Sequence, residues 1–390
     1  MQVIMSRQEL LLLLGNIQGT ISPKPPIPIL GHILFEAANG NEGSTGSGQV
    51  VISAMSPTAS ARFACKATVK KEGKVALPAR RFFQLLRELR SSQVEIVSKD
   101  QQSIEIIAGS SMFKIHGTHY SQFPPLPQCD ALDTVPICAL HLKELLVRSA
   151  FCAAREDSRY SLNGVYVESK SGTLTFTGTD GKRLARTTYK LEGTPLRDTS
   201  SNLPVKSVEE LLRILDNPEE IVQVGLGEEK ASFEITSGIL ITKLLSGQYP
   251  DVQKVIPKSP THSISLHREE LLSLLKQVSL FTSDSNQSVR FIFDQEELTL
   301  KAMASSIGEG VVSMPVNFSG EKLEIAFNPA YLIDILRRLT DDCITLAMND
   351  SFNPGLITDS TTSQFVIMPM RLQDQEDDRE TSVSSKAALT

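Results

Sequence analysis

The chain has 390 residues, a formal charge of −6, 41% hydrophobic and 22% charged residues, and no tryptophan. That length predicts roughly two to four globular domains, and the net acidity excludes a chain that coats nucleic acid over its whole surface while leaving room for a local basic face. Its five cysteines (Cys65, Cys129, Cys138, Cys152, Cys343) are odd in number and form no C-x-x-C pair, which reads as free thiols in a reducing cytoplasm.

The opening stretch MQVIMSRQELLLLLGN carries an apolar run over 10–14 with Glu9 just before it and no small-residue cleavage site after it. It is too short to cross a membrane and reads as a helix, so neither a signal peptide nor a membrane span is expected. Strand-like alternation follows at 29–37, 49–55 and 62–69, interrupted at 39–48 by NGNEGSTGSG, a flexible insertion on a hairpin tip. A second helix is predicted over 77–89 (LPARRFFQLLREL), then strands at 94–100, 103–109 and 112–119, and a turn at FPPL (123–126).

This order recurs. A helix with the same E-L-L core begins near His141 and again near His267, with Glu9, Glu144 and Glu270 in phase. The second helix recurs as LPVKSVEELLRIL (203–215) and FNPAYLIDILRRL (327–339), each with a proline near its start, where the missing N–H costs nothing. Apolar residues sit at helical spacing in all three copies: Phe82/Leu86/Leu89, Val208/Leu212/Leu215 and Leu332/Leu336/Leu339. Arg87, Arg213 and Arg337 stay in phase (213 − 87 = 126, 337 − 213 = 124), as do Arg80 and Lys206, with Ala330 breaking that second series. Strands are expected between and after the helices, and YPDV (249–252) matches FPPL at an offset of 126.

Three repeats of helix, strands, helix, strands define an α+β fold: outer antiparallel sheets with two inner helices per repeat. The expected domains are 1–126, 134–257 and 261–372, followed by an acidic, then small and polar tail over 373–390 without periodicity. Six helices per chain, each about 10 Å across and presenting a basic stripe, would close a hole of only about 9 Å, whereas twelve leave about 28 Å, enough for duplex DNA. A ring of that kind requires a head-to-tail homodimer. The same recurrence is also compatible with arginines that simply solvate exposed helix faces.

At T-D-G-K-R-L-A (179–185) and V-I-M-P-M-R-L (366–372), together with P-I-L-G (28–31), R-Y-x-L-N-G (159–164) and Y-P-D-V-Q-K-V-I-P (249–257), the chain resembles the bacterial DNA polymerase III beta subunit family, the sliding clamps, over essentially residues 1–372. The resemblance implies three domains of the DNA-clamp fold closing as a head-to-tail dimeric ring around duplex DNA. It implies a non-enzymatic role, tethering the replicative polymerase catalytic subunit and conferring processivity, with an ATP-dependent clamp loader and other polymerases and repair factors as further partners, and no cofactor. A partner-peptide site is implied at Leu162, Thr179, Gly181, Lys182, Arg183, Leu184, Pro250, Lys254, Val255, Val366, Ile367, Met368, Pro369, Met370 and Arg371.

For DNA the resemblance points to Lys24, Arg80, Arg159, Tyr160, Lys206 and Arg290, to which the in-phase series adds Arg87, Arg213 and Arg337. Glu156 and Gln287 depart from the family pattern, the first adding a charge that repels phosphate. For the dimer seam it points to Phe113 and Ile115 facing Leu280 and Phe281 of a second copy. No Walker A sequence or nucleophile–base motif is present. His116 and His119, three apart on one strand, would point to opposite faces and not share a metal. A scaffold of the same fold that does not encircle DNA is the alternative, suggested by the net acidity and Glu156.

Overall fold

A computed structural model describes residues 1–22, 24–39, 48–127, 132–191, 197–283 and 287–371. The insertion expected at 39–48, apart from its two end residues, and the tail expected at 373–390 lie outside them.

Among the described residues one unit, strand–helix–strand–strand–strand, is written six times. The first is β1 (Gln2–Ser6), α1 (Arg7–Gln18), β2 (His32–Asn39), β3 (Gly48–Met55) and β4 (Ala59–Lys71); the second is β5 (Gly73–Pro78), α2 (Ala79–Glu88), β6 (Gln93–Val97), β7 (Ser103–Ala108) and β8 (Ser111–His116). Next come β9 (Thr134–Cys138), α3 (Ala139–Ala150), β10 (Gly164–Lys170), β11 (Thr173–Thr179) and β12 (Arg183–Lys190), then β13 (Thr199–Pro204), α4 (Val205–Ile214), β14 (Ile221–Leu226), β15 (Lys230–Ile235) and β16 (Gly238–Lys243). The last two are β17 (His262–His267), α5 (Arg268–Val278), β18 (Val289–Asp294), β19 (Glu297–Ala304), β20 (Gly308–Pro315), and β21 (Leu323–Phe327), α6 (Pro329–Leu336), β22 (Cys343–Met348), β23 (Gly355–Thr358), β24 (Gln364–Ile367).

The expected pattern lacked the strand before each helix and the short β23. The first of the expected strands, over 29–37, begins instead with a 3-10 turn, Pro28–Gly31, and becomes extended only at His32. At α1, α5 and α6 the chain enters the helix through an extended residue whose side chain caps it. Ser6 Oγ accepts from Glu9 N, His267 Nδ1 from Glu270 N and Asn328 Oδ1 from Ala330 N, each satisfying one of the four orphan donors of a helix N-terminus. The prolines hold different places: Pro78 and Pro204 are the N-caps of α2 and α4, whereas Pro329 is already inside α6.

The chain divides into two compact units, Met1–Leu146 with Arg155–Phe176 and Tyr189–Gln248, and a second built from Val147–Ala154, Thr177–Thr188 and the chain from Tyr249 onward. In the first, the strand order β8-β7-β6-β1-β4-β16-β15-β14-β9 is antiparallel, with β2, β3 and β5 extending it beside β4, while β10 pairs with β13. In the second, β12-β24-β23-β22-β17 run side by side and β20-β19-β18-β21 form another sheet. Pro136 stands in β9, which is the sheet edge, where its missing N–H breaks no ladder bond that a neighbour needs.

Each helix buries one stripe. Leu10, Leu13, Leu14 and Ile17 of α1 and Phe82 and Leu86 of α2 are buried, as are Leu332, Leu336 and Leu339 around α6. In α4 the buried stripe is Val208, Leu211 and Leu215, and Leu212, expected inside, is half-buried. The second unit packs Leu271 and Leu275 of α5 and Leu332 and Leu336 of α6 against Phe291, Phe293 and Phe327. Each such side chain contributes about 2 kcal/mol by leaving water.

The basic stripe expected on all six helices is uneven: α1 and α3 expose no cation and α5 only Lys276. The only cation in α1 is Arg7, and its guanidinium donates to Leu86 O at the end of α2. Lys143 of α3 donates likewise to Leu215 O at the end of α4, and Arg268 of α5 to Leu336 O at the end of α6. In every repeat a cation of the first helix thus satisfies a free carbonyl at the negative end of the second. Exposed cations recur in phase on α2 (Arg80, Arg87), on α4 (Lys206, Arg213) and at the C-cap of α6 (Arg337).

Candidate functional site

The turn T-D-G-K-R leads into β12. Thr179 Oγ1 accepts from Gly181 N (3.1 Å) and donates to Arg183 O (2.7 Å), while Asp180 Oδ1 accepts from Lys182 N (2.9 Å) and Arg183 N (3.0 Å). Gly181 has φ +85°, a left-handed conformation that a side chain would strain. This turn fixes where β12 starts, and β24 pairs with it at Arg183↔Ile367 and Leu184↔Val366. Beyond β24 the chain continues as an edge: Met368 N donates to Lys182 O and Met370 N to Ala326 O, each within 2.9 Å. Met368 is thereby held exposed, with Pro369 and Met370 half-exposed beside it.

Behind this edge lies an apolar row across four strands, Leu184, Val366, Leu356 and Ala347, on which Val252 and Ile256 pack. Pro250, Lys254 and Val255 are exposed on the same connecting segment, where Asp251 pairs with Lys254 and accepts from Gln253 N. Of the expected partner-peptide residues, Thr179, Leu184, Val366 and Ile367 are buried and serve as floor, whereas Gly181, Lys182, Pro250, Lys254, Val255, Met368 and Arg371 are exposed. Leu162, also buried, belongs to the other compact unit.

Arg183 takes a different place from the one expected. Its side chain is only 13% exposed and is used inward. Nε donates to Asp180 Oδ2 (3.1 Å), Nη1 to Asp334 Oδ2 (2.8 Å) and Nη2 to Phe151 O (3.1 Å), with the Tyr331 ring 4.6 Å from the guanidinium carbon. Burial of the cation opposes its charge, but the Asp334 bond and the surrounding acidic groups hold its pKa above the ordinary value. Arg183 therefore anchors the β12 turn to α6 and shapes the site from beneath. Of the anchors, Asp180 belongs to the T-D-G-K-R-L-A motif without being among the expected site residues, and Asp334 and Tyr331 carry no motif of their own.

The basic residues fall into two groups. Lys24, Arg80, Arg87, Lys206, Arg213 and Arg337 are exposed and make no ion pair among the described residues. Arg80 and Arg87 stand over a cleft of about 510 Å³ floored by Leu14 and Phe83, and the Arg87 guanidinium lies 5.9 Å from the Phe83 ring. Arg159 and Arg290 are instead engaged. Arg159 forks onto both carboxylate oxygens of Asp157, pulling that carboxyl down to about 2, and Arg290 reaches Glu324 at 3.4 Å. Tyr160 beside Arg159 is 75% exposed, Glu156 is exposed, and Gln287 accepts from Asn328.

The seam residues fall in both units, Phe113 and Ile115 on an edge strand and Leu280 and Phe281 in the 3-10 turn Ser279–Phe281 that follows α5. β8 is an outermost strand; Phe113 is exposed on it, as is Met112, while Ile115 is 5% exposed and turned to the core. β20 is likewise outermost in its sheet. Leu280 is 72% exposed, Phe281 is half-buried against Gly310 of β20, and Met303, Ile307 and Val311 are exposed along the β19–β20 hairpin. His119 lies beyond β8, which ends at His116, so the two histidines are not on one alternating strand; His119 caps a 3-10 turn and contacts Ser121 and Gln101. Among the described residues no group of three or more His, Cys, Asp or Glu could hold a metal, and no helix is long and apolar enough to cross a membrane.

Three family models match the chain in succession: the N-terminal domain of the DNA polymerase III beta subunit over residues 1–127, its central domain over 137–251 and its C-terminal domain over 253–371. The beta sliding clamp of Chlamydia muridarum is 42% identical over 374 residues, covering 96% of this chain and 100% of its own. That of Escherichia coli K12 is 28% identical, covering 95% and 100%. The crystal structure of the Bacillus subtilis DNA polymerase sliding clamp superposes with a TM-score of 0.89 at 25% identity, over 96% of this chain and 100% of that one. The architecture is thus the three-domain clamp fold, antiparallel sheets with helices. The chain belongs to the DNA polymerase III beta subunit family. It functions as a beta sliding clamp, a non-catalytic subunit that confers processivity on a polymerase, and this identity implies DNA and a polymerase as its partners.

Proposed function

We propose that two copies close head to tail into a ring around duplex DNA in the cytoplasm, each contributing three clamp domains at 1–126, 134–257 and 261–372. The observation that carries this is the recurrence of exposed cations without an ion pair at equivalent positions of the second helix in each repeat: Arg80 and Arg87, Lys206 and Arg213, and Arg337 at the C-cap of α6. Unpaired lysine and arginine attract phosphate without reading sequence, which lets a ring slide. Arg159 and Arg290, already held by carboxylates, contribute less.

The edges β8 and β20 support the closure. Each is an outermost strand carrying exposed apolar side chains, a combination that a lone soluble chain avoids and that a second copy would cover. An ATP-dependent loader must supply the energy of opening, since no nucleotide motif is present. The site around Met368, Met370 and Val255 then takes a short apolar peptide from the replicative polymerase and, in competition, from other polymerases and repair factors; methionine adapts to several partners.

Phe113→Glu with Leu280→Glu tests the closure. Both side chains are exposed, so the chain should fold and run as a monomer in native mass spectrometry where wild type is a dimer. A dimer that persists in the double variant would place the seam elsewhere.

A further inference from the structure

The site at β24 has a counterpart one repeat earlier. In the second unit the row Leu184–Val366–Leu356–Ala347 crosses β12, β24, β23 and β22. In the first unit Ser60–Ile241–Ser232–Gly225 crosses β4, β16, β15 and β14 in the same antiparallel register. The strand sequences agree, Ala61-Arg62 standing where Ala185-Arg186 stands, and the segments that lie over the two rows, FPPL and YPDV, are 126 apart (249 − 123). The later row is filled by large apolar side chains. The earlier one is small except at Ile241, and there the surface opens into a groove of about 840 Å³ lined in part by Ser60, Ile239, Ile241, Phe123 and Leu126.

Three further features say what would fill it. Ser60 is 3% exposed, and its hydroxyl has no hydrogen-bond partner, so the groove floor holds a polar group awaiting one. Glu36 and Lys74, also in the wall, neutralise each other. Arg62 and Glu234 line the groove as well, are exposed, and make no ion pair among the described residues. They occupy one cross-strand row with Ile239 between them. Two strand spacings separate them by roughly 10 Å, the span of about three extended residues.

We infer that this groove is a second peptide-binding site, which takes an extended partner segment with a carboxylate side chain for Arg62, a lysine or arginine three residues on for Glu234, and apolar residues between them over Ile239 and Ile241. The class of occupant rests on reading the β24 site as a peptide site. The smaller floor and the paired outer charges distinguish the segment recognised here from an all-apolar one: it must be zwitterionic, and bulkier at its centre.

The test uses the full-length protein and the probe acetyl-Asp-photoleucine-Phe-Lys-amide, irradiated and mapped by mass spectrometry in wild type, Arg62→Glu and Met368→Arg. Adducts within 123–126 and 239–241 are expected, falling about tenfold in Arg62→Glu, the loss of one charge-assisted bond, and unchanged in Met368→Arg. Arg62 is exposed, and a thermal melt matching wild type shows that its variant is folded. Absence of adducts from those segments, or adducts indifferent to Arg62→Glu, would overturn the inference. Adducts within 252–256 and 366–370 that vanish in Met368→Arg report on the β24 site separately, so either site can fail while the other stands.

Discussion

Arg183 shows how a residue can be indispensable to a site without lying on its surface. It gathers Asp180, Asp334 and Phe151 O with a planar fork and stacks on Tyr331, an arrangement that a lysine cannot reproduce. Arg183→Lys should cost about 1–3 kcal/mol, seen as a lower thermal midpoint of the second unit; an unchanged midpoint would mean that these bonds are exchanged freely with water. Glu210 gives a prediction of opposite sense. It is 5% exposed and accepts from Thr20 Oγ1 at 3.1 Å. Burial raises its pKa, against the pull of Thr20, Lys206 and Arg213. A carboxyl raised in the folded state contributes stability below its ordinary value of about 4.3 and loses it as pH rises through the folded value. Glu210→Gln keeps the acceptor and removes the charge, so its melting advantage over wild type should be near zero at pH 4 and reach about 2 °C at pH 7. An advantage that shrinks with rising pH would contradict the assignment.

At the scale of elements, the recurring device is the cation that closes the neighbouring helix: Arg7 on α2, Lys143 on α4 and Arg268 on α6. Arg268 also holds Asp341 O through Nε at 2.8 Å. Arg268→Met, which keeps the packing of the stem, should destabilise the second unit by about 1–2 kcal/mol, read from its thermal midpoint, while leaving the first unit's midpoint in place. Equal loss in both units would show that the cap is not local.

The helices were legible in the sequence because each carries an apolar period at helical spacing. The strands before them were not. β1, β5, β9, β13, β17 and β21 have only 5 or 6 residues each, run into a helix directly or, for β21, after one residue, and in β5, β9 and β13 contain a proline. Their alternation is too short to separate from a helix start, so three repeats were visible where the backbone has six units. The exposed face of each second helix could be read from phase alone. That Arg7, Lys143 and Arg268 turn inward could not, because their carbonyl partners lie 68 to 79 residues away. Arg183 was likewise legible as a motif residue, but its inward use depends on Asp334, 151 residues on.

For the whole molecule, the net charge of −6 and the recurring cations are reconciled by location: Arg80, Arg87, Lys206, Arg213 and Arg337 are exposed on or at the end of the second helices while the chain as a whole is acidic. Such a molecule repels DNA from most of its surface and holds it weakly where the cations lie, which favours topological over adhesive retention. The measurement that bears most directly on this is retention on nicked circular DNA after loading with a cognate loader and removal of free protein, followed by linearisation of half the sample. Encirclement predicts that the clamp stays on the closed circles and is lost from the linear molecules. Equal retention on both forms would mean surface adhesion and would contradict the ring. Absence from both, with a dimer and a competent loader, would mean a scaffold of the same fold that DNA does not enter.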